Sequence, residues 1–147
     1  MAIVKFIKLD ESATIPSYGS ACAAGADLYV CTKQDKIVFF PGETKLIHTG
    51  IALEIPEGLV GLIYARSGIA TKRGLAPANK VGVIDSDYRG EIMVSLHNHS
   101  SRIQEISKGE RIAQIVFTPY VTATFEESKK LSDTDRGEGG FGSTGKK

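Results

Sequence analysis

A chain of 147 residues with 18 Lys+Arg against 17 Asp+Glu, formal net charge +1, has the size of one domain, roughly 100 to 200 residues, and no global field to draw it to nucleic acid or a membrane surface. The two cysteines, Cys22 and Cys31, form neither a CxxC pair nor a disulfide framework and are read as reduced thiols of an intracellular protein, cytoplasmic or nuclear. Lysines interrupt the apolar N-terminus and no stretch approaches the ~18 apolar residues of a membrane span, so a soluble, unexported protein is expected.

Along the chain, short apolar runs rich in Val, Ile and Phe occupy residues 3–9, 27–31, 37–40, 44–55, 59–65, 81–84, 92–98 and 112–120. Turn chemistry separates them at Pro41-Gly42, Pro56-Glu57-Gly58, Arg89-Gly90 and Lys108-Gly109, and no window sustains a 3.6-residue apolar period. This is the pattern of an all-β protein, a jelly-roll-like β-barrel. One short helix is expected over residues 68–72, with Ser67 as its N-cap and its first backbone N–H groups facing outward as an anion site. From residue 125 onward charges and then glycines leave little to bury. The division expected is a domain over 1–124 and a mobile, glycine-rich tail over 125–147.

Three segments combine groups that phosphate chemistry needs. Gly82-Val83-Ile84-Asp85-Ser86-Asp87-Tyr88-Arg89-Gly90 runs an apolar strand into a turn bearing two carboxylates, a phenol and a guanidinium, and a carboxylate there can orient and deprotonate a water. Its plain alternative is an Asp-rich turn. Ala65-Arg66-Ser67-Gly68 sets a guanidinium and a hydroxyl at the helix start, both suited to phosphate oxygens, or else is only a capped turn. The tail from Arg136 to Lys146 packs glycines, hydroxyls and cations together, as backbone cradles for phosphate require, or is simply a disordered end. Its near match to a Walker A loop fails because Lys147 stands where Ser or Thr should bind Mg²⁺.

Other groups say less. Ser67 lacks the G-x-S-x-G elbow of a nucleophile, and His97 and His99 share a strand face without a third metal ligand at a recognisable spacing. Asp27, after the Ala23-Ala24-Gly25-Ala26 lead-in, and Gln114, the one polar group inside its apolar run, are uninformative alone.

In their order and spacing, residues 23–29, 65–70, 82–90, 109–114 and 136–145 resemble the five motifs of the trimeric dUTPase family, and the similarity spans essentially the whole chain. The resemblance implies a β jelly roll, a homotrimer with active sites shared between subunits, and Mg²⁺-assisted hydrolysis of dUTP to dUMP and pyrophosphate. That activity would limit uracil incorporation into DNA and supply dUMP for dTMP synthesis. Carried onto this chain, Asp85 is the general base that orients the water attacking the α-phosphorus, and Asp27 holds the hydrated Mg²⁺ through water. Arg66, Ser67, Gly68 and Gln114 meet the phosphates. Arg136, Gly142, Ser143 and Thr144 close over them from the tail, and Phe141 stacks on the uracil. Tyr88 packs under the deoxyribose, and the hairpin between Asn79 and Tyr88, Gly82 included, reads the base mainly through its backbone. Ala65 and Ala26 depart from the family pattern, where Pro and a larger residue are common. A dCTP deaminase would need a different third motif. A dUTP-binding sensor without catalysis would need loss of a catalytic group, and Asp85, Asp27 and the tail are all present.

Overall fold

The computed structural model describes residues 2–140. Its strands are β1 (Lys5–Lys8), β2 (Ser17–Tyr18), β3 (Ala26–Tyr29), β4 (Lys36–Phe39), β5 (Thr44–Glu54), β6 (Leu59–Ala65), β7 (Leu75–Pro77), β8 (Gly82–Ile84), β9 (Glu91–Asn98), β10 (Gln104–Ser107) and β11 (Arg111–Pro119), with one helix, α1 (Ser67–Arg73), between β6 and β7. All eight apolar runs become strands. The three strands not read from the sequence, β2, β7 and β10, are two to four residues long and contain no run of Val, Ile or Phe.

A four-stranded sheet, β1-β5-β9-β7, faces a five-stranded sheet, β2-β3-β11-β6-β8, and the ribbon β10-β4 closes one end. Every pairing is antiparallel. One core joins the layers, with Ile47, Ile92, Val94 and Leu96 from the first sheet, Leu28, Ile63 and Ile115 from the second, and Phe39 and Ile106 from the ribbon. The burial follows the period-2 rule best in β9, where Ile92, Val94, Leu96 and Asn98 point inward and their neighbours do not.

Asn98 ends that stripe as a polar residue with no exposed surface. Its amide nitrogen donates to the carbonyls of Phe39, Phe40 and Arg102 at 3.2, 3.2 and 2.7 Å, and its oxygen accepts from the Ser100 N–H and hydroxyl at 3.0 and 2.7 Å. A buried amide is tolerated because each of its atoms is matched, and it ties β9 to the end of β4 and to the 100–102 turn. Asn98→Ala removes these bonds, the buried one to the Phe39 carbonyl among them, so it should cost about 2–4 kcal/mol of stability. The check is the midpoint of urea unfolding against the unaltered protein.

Candidate active site

The β3, β11 and β6 strands lie side by side, and their register sets Asp27 opposite Gln114, which in turn lies opposite Tyr64. Just beyond β6, the chain turns through Arg66 into α1. Arg66 is extended at φ −89° and ψ 133° and is itself the N-cap, with no side chain capping the helix. Ser67 is therefore not the cap that the sequence implied. It already lies within the helix, because the first intrahelical bond runs from the Ala70 N–H to the Arg66 carbonyl at 3.0 Å. The N–H groups of Ser67 and Gly68 are left without helical partners, and both residues are exposed.

Asp27 is nearly buried, and two guanidiniums share it. Arg66 Nε donates to Oδ1 at 2.7 Å and Arg111 Nη1 donates to Oδ2 at 3.1 Å. Arg111 was not singled out from the sequence. Residues 111 and 114 are three apart and would face opposite ways on a regular strand. The pairing of β11 with β3 slips between Arg111 and Ala113, a β-bulge that buries both Ile112 and Ala113 and brings Arg111 and Gln114 onto one cavity. That cavity, about 230 Å³, is lined by Asp27, Arg66, Ser67, Gly68, Arg111 and Gln114 together with the loop at Gly19, Ala23 and Gly25.

Gln114 is held in place from two sides. Its amide nitrogen donates to the Ala65 carbonyl at 2.9 Å, and its oxygen lies where a Cβ on Gly25 would come within 2.5 Å. The glycine in the lead-in to β3 is thus needed for close approach.

Asp85 and Tyr88 lie elsewhere. Asn79 to Tyr88 is not the hairpin expected, because β7 and β9 belong to one sheet while β8 pairs with β6 in the other. The chain instead crosses between layers twice, once through Ala78 to Val81 and again through Asp85 to Tyr88. Lys80 takes the first crossing at φ 65°, a left-handed conformation unusual for a side-chain-bearing residue, and Asn79 lies against Gly82 nearby. The second crossing is fastened by Arg89, whose Nη1 donates to the carbonyls of Ser86 and Tyr88 at 2.6 and 2.9 Å. The Tyr88 hydroxyl donates to the Glu91 carbonyl at 3.1 Å, and its ring crosses Gly90 so closely that a Cβ there would sit 2.3 Å from the hydroxyl oxygen.

The Asp85 carboxylate is exposed and, among the described residues, has no ion-pair or hydrogen-bond partner. It borders a second cavity of about 270 Å³ with Leu46, Val83, Ile84, Tyr88, Glu91 and Met93. Three strand spacings, roughly 14 Å across the sheet, separate β3 from β8, so a single chain does not bring Asp85 to the Asp27 cluster. A larger apolar groove of about 430 Å³ beside Phe6, Ile15 and Tyr18 holds no group suited to phosphate chemistry.

Arg136 is folded onto its own turn, Nε donating to the Gly139 carbonyl at 2.8 Å. Phe141, Gly142, Ser143 and Thr144 lie outside the described residues. His97 and His99 meet edge to face at 4.3 Å, and burial, with His97 and Lys80 nearby, lowers the pKa of His99. Among the described residues no three His, Cys, Asp or Glu side chains form a metal cluster. No helix among them is long and apolar enough to cross a membrane.

The dUTPase family model matches residues 11–145. The chain belongs to the dUTPase family. A deoxyuridine 5'-triphosphate nucleotidohydrolase of Nautilia profundicola is 52% identical over 97% of this chain and 99% of its own length. Among solved structures, the dUTPase of Staphylococcus bacteriophage 80alpha with dUPNHPP superposes with a TM-score of 0.88 at 29% identity, covering 99% of both chains. A mutant dUTPase of phage phi11 of S. aureus, described for the coordination of a structural Mg(II) ion, shares the fold at 24% identity and a TM-score of 0.80, covering 90% of this chain and 100% of that one. The jelly-roll expectation from sequence holds for this dUTPase-family chain.

Gly25→Ala should displace the Gln114 amide from the Ala65 carbonyl and cost about 1 kcal/mol, roughly 3 °C in Tm. Gly19→Ala, on the same cavity but with open space around it, should leave Tm unchanged. Thermal unfolding of the two variants side by side distinguishes the close approach from a general loss of loop freedom.

Proposed function

We propose that this protein hydrolyses dUTP to dUMP and pyrophosphate in sites composed by three copies of the chain. The observation that carries the reading is the division of labour on one chain. A pocket with two guanidiniums and an amide, able to hold a polyphosphate, lies apart from an exposed carboxylate with an aromatic ring beside it. Neither half is sufficient, and a second copy supplies the other. The segment after β11 supports assembly as well, since Val121, Phe125 and Leu131 are 91%, 97% and 82% exposed. Apolar side chains left so open favour burial against another chain. The domain proper then ends near residue 124, and 125–147 serves as the closing tail.

In this scheme Arg66, Ser67 and Gln114 hold the triphosphate, with the Gly68 N–H at the helix start adding to the positive field. The neighbour's Asp85 orients a water in line with the α-phosphorus and takes its proton, and pyrophosphate leaves. Arg136, Gly142, Ser143 and Thr144 close over the phosphates and exclude water, which strengthens each charge interaction inside. Tyr88, held by Glu91 and Gly90, packs under the deoxyribose and refuses a 2'-hydroxyl. Phe141 stacks on the base. Backbone at Asn79 and Gly82 reads uracil, and a donor aimed at O4 is left unpaired by cytosine.

Mg²⁺ fits this donor set as an ion carried in on the substrate. Such an ion takes most of its ligands from phosphate oxygens and water and needs few from protein. Both Asp27 oxygens already accept from guanidiniums, so Asp27 would hold the ion through water. When bound, Mg²⁺ neutralises charge developing on the phosphate oxygens. The protein's role in the cell is to limit uracil in DNA and to supply dUMP for dTMP synthesis, and that places it inside the cell.

Asp85→Asn should keep dUTP binding while lowering turnover by roughly 10²- to 10⁴-fold, the range of general-base contributions. Turnover near that of the unaltered protein would sink the mechanism. Deleting residues 136–147 should lower both affinity and turnover, read by pyrophosphate release at varied dUTP.

The division between chains has its own test. Asp85→Asn and Arg66→Ala variants, each nearly inactive alone, should recover up to about a quarter of normal activity when unfolded and refolded together one to one, because that share of sites draws both intact residues from different chains. No recovery would place Asp85 and Arg66 in one subunit's site.

A further inference from the structure

Arg73 ends α1, the helix that begins at the phosphate pocket, and all three of its guanidinium nitrogens are engaged. Nη1 pairs with Glu110 Oε1, Nη2 donates to the Glu105 carbonyl, and Nε donates to Gln104 Oε1 at 3.4 Å. Glu110 in turn uses its second oxygen to accept the Ser107 N–H at 2.9 Å, so it fastens the turn between β10 and β11. That turn is also pinned to the end of β3, where the Gly109 N–H meets the Val30 carbonyl and the Val30 N–H meets the Glu110 carbonyl, each at 2.9 Å.

The helix has few other anchors. It is seven residues long, carries no side-chain cap at its start and buries only Ile69. A helix this short has little stability of its own, and its pose is set by whatever holds it. The next residue after Glu110 is Arg111, which together with Gln114 belongs to the opposite wall of the phosphate pocket.

We propose that the Arg73–Glu110 pair is a positioning latch, fixing the helix that bears Ser67 and Gly68 against the strand that bears Arg111 and Gln114 so that both walls meet one phosphate chain. The inference rests on the polyphosphate reading of this pocket. Neither residue touches substrate. Both act through the residues at the far end of the helix and the near end of the strand. Loosening the latch leaves every phosphate ligand present but lets the two walls slide, which is felt more in the in-line transition state than in ground-state binding.

The experiment is steady-state pyrophosphate release from dUTP with Mg²⁺ by the full-length protein and four variants, with circular dichroism and Tm recorded for each. Arg73→Met and Glu110→Gln should each lower kcat about tenfold with KM changed less than about threefold, since small misplacements of reacting groups act mainly on the chemical step. Arg73→Lys, which keeps the charge opposite Glu110, should recover most of the loss. The double variant Arg73→Met/Glu110→Gln should be no worse than either single one. Should Arg73→Met fail to fold, Glu110→Gln and Arg73→Lys decide by the same criteria. A fall in Tm with kcat unchanged, or a double variant whose loss is the product of the single losses, overturns the latch. An unaltered protein that releases no pyrophosphate from dUTP overturns the reading of the pocket instead, and the latch with it.

Discussion

Asp27 with a guanidinium on each carboxylate oxygen is the contact around which the pocket of Arg66, Arg111 and Gln114 is organised. Arg66 arrives from the end of β6 and Arg111 from the start of β11, and two cations brought this close repel each other unless an anion lies between them. The carboxylate comes from β3, the third strand of the same local sheet, so one side chain fixes the mutual position of three segments far apart in sequence. Arg111 remains half exposed, and what Asp27 organises is positive charge directed outward. An anionic ligand meets guanidiniums that are already oriented, without first losing their rotamer freedom.

On the other side of β6 the structure makes the opposite choice. Asp85 is left open to solvent, while the backbone that carries it is fastened by Arg89, Tyr88 and Glu91. A carboxylate with firm backbone and, among the described residues, no partner of its own is available for a water or for a neighbouring cation. Glu91 extends this support to the first sheet, accepting the Gly50 N–H at 2.7 Å and meeting His48 at 2.8 Å. The difference between the two aspartates is thus one of packing and not of residue type.

Most of the architecture was legible because apolar runs rich in Val, Ile and Phe between Gly and Pro turns are a local signal, and β5, β6, β9 and β11 are long enough to display it. The short strands β2, β7 and β10 were not, since Ser17–Tyr18, Leu75–Pro77 and Gln104–Ser107 contain no run of Val, Ile or Phe to mark them. The site was legible in its motifs and not in its geometry. Arg111 was not singled out in its segment; regular strand parity would face it away from Gln114, and only the bulge reverses that. The expected hairpin from Asn79 to Tyr88 failed because a turn reads the same in sequence whether it joins neighbouring strands or carries the chain from one sheet to the other. Ser67 was read as a cap from residue type alone, whereas the helix begins one residue earlier, at the φ and ψ of Arg66.

The bulge in β11 also constrains how this chain can vary. Substitutions along the strand change one contact at a time and leave the facing of every other side chain intact. Flattening the bulge without changing the number of residues would return β11 to ordinary alternation, turning either Arg111 or Gln114 to the far side of the sheet while the amino acids themselves stayed the same. The backbone irregularity between these two positions therefore matters more to the pocket than the chemistry of the residues separating them.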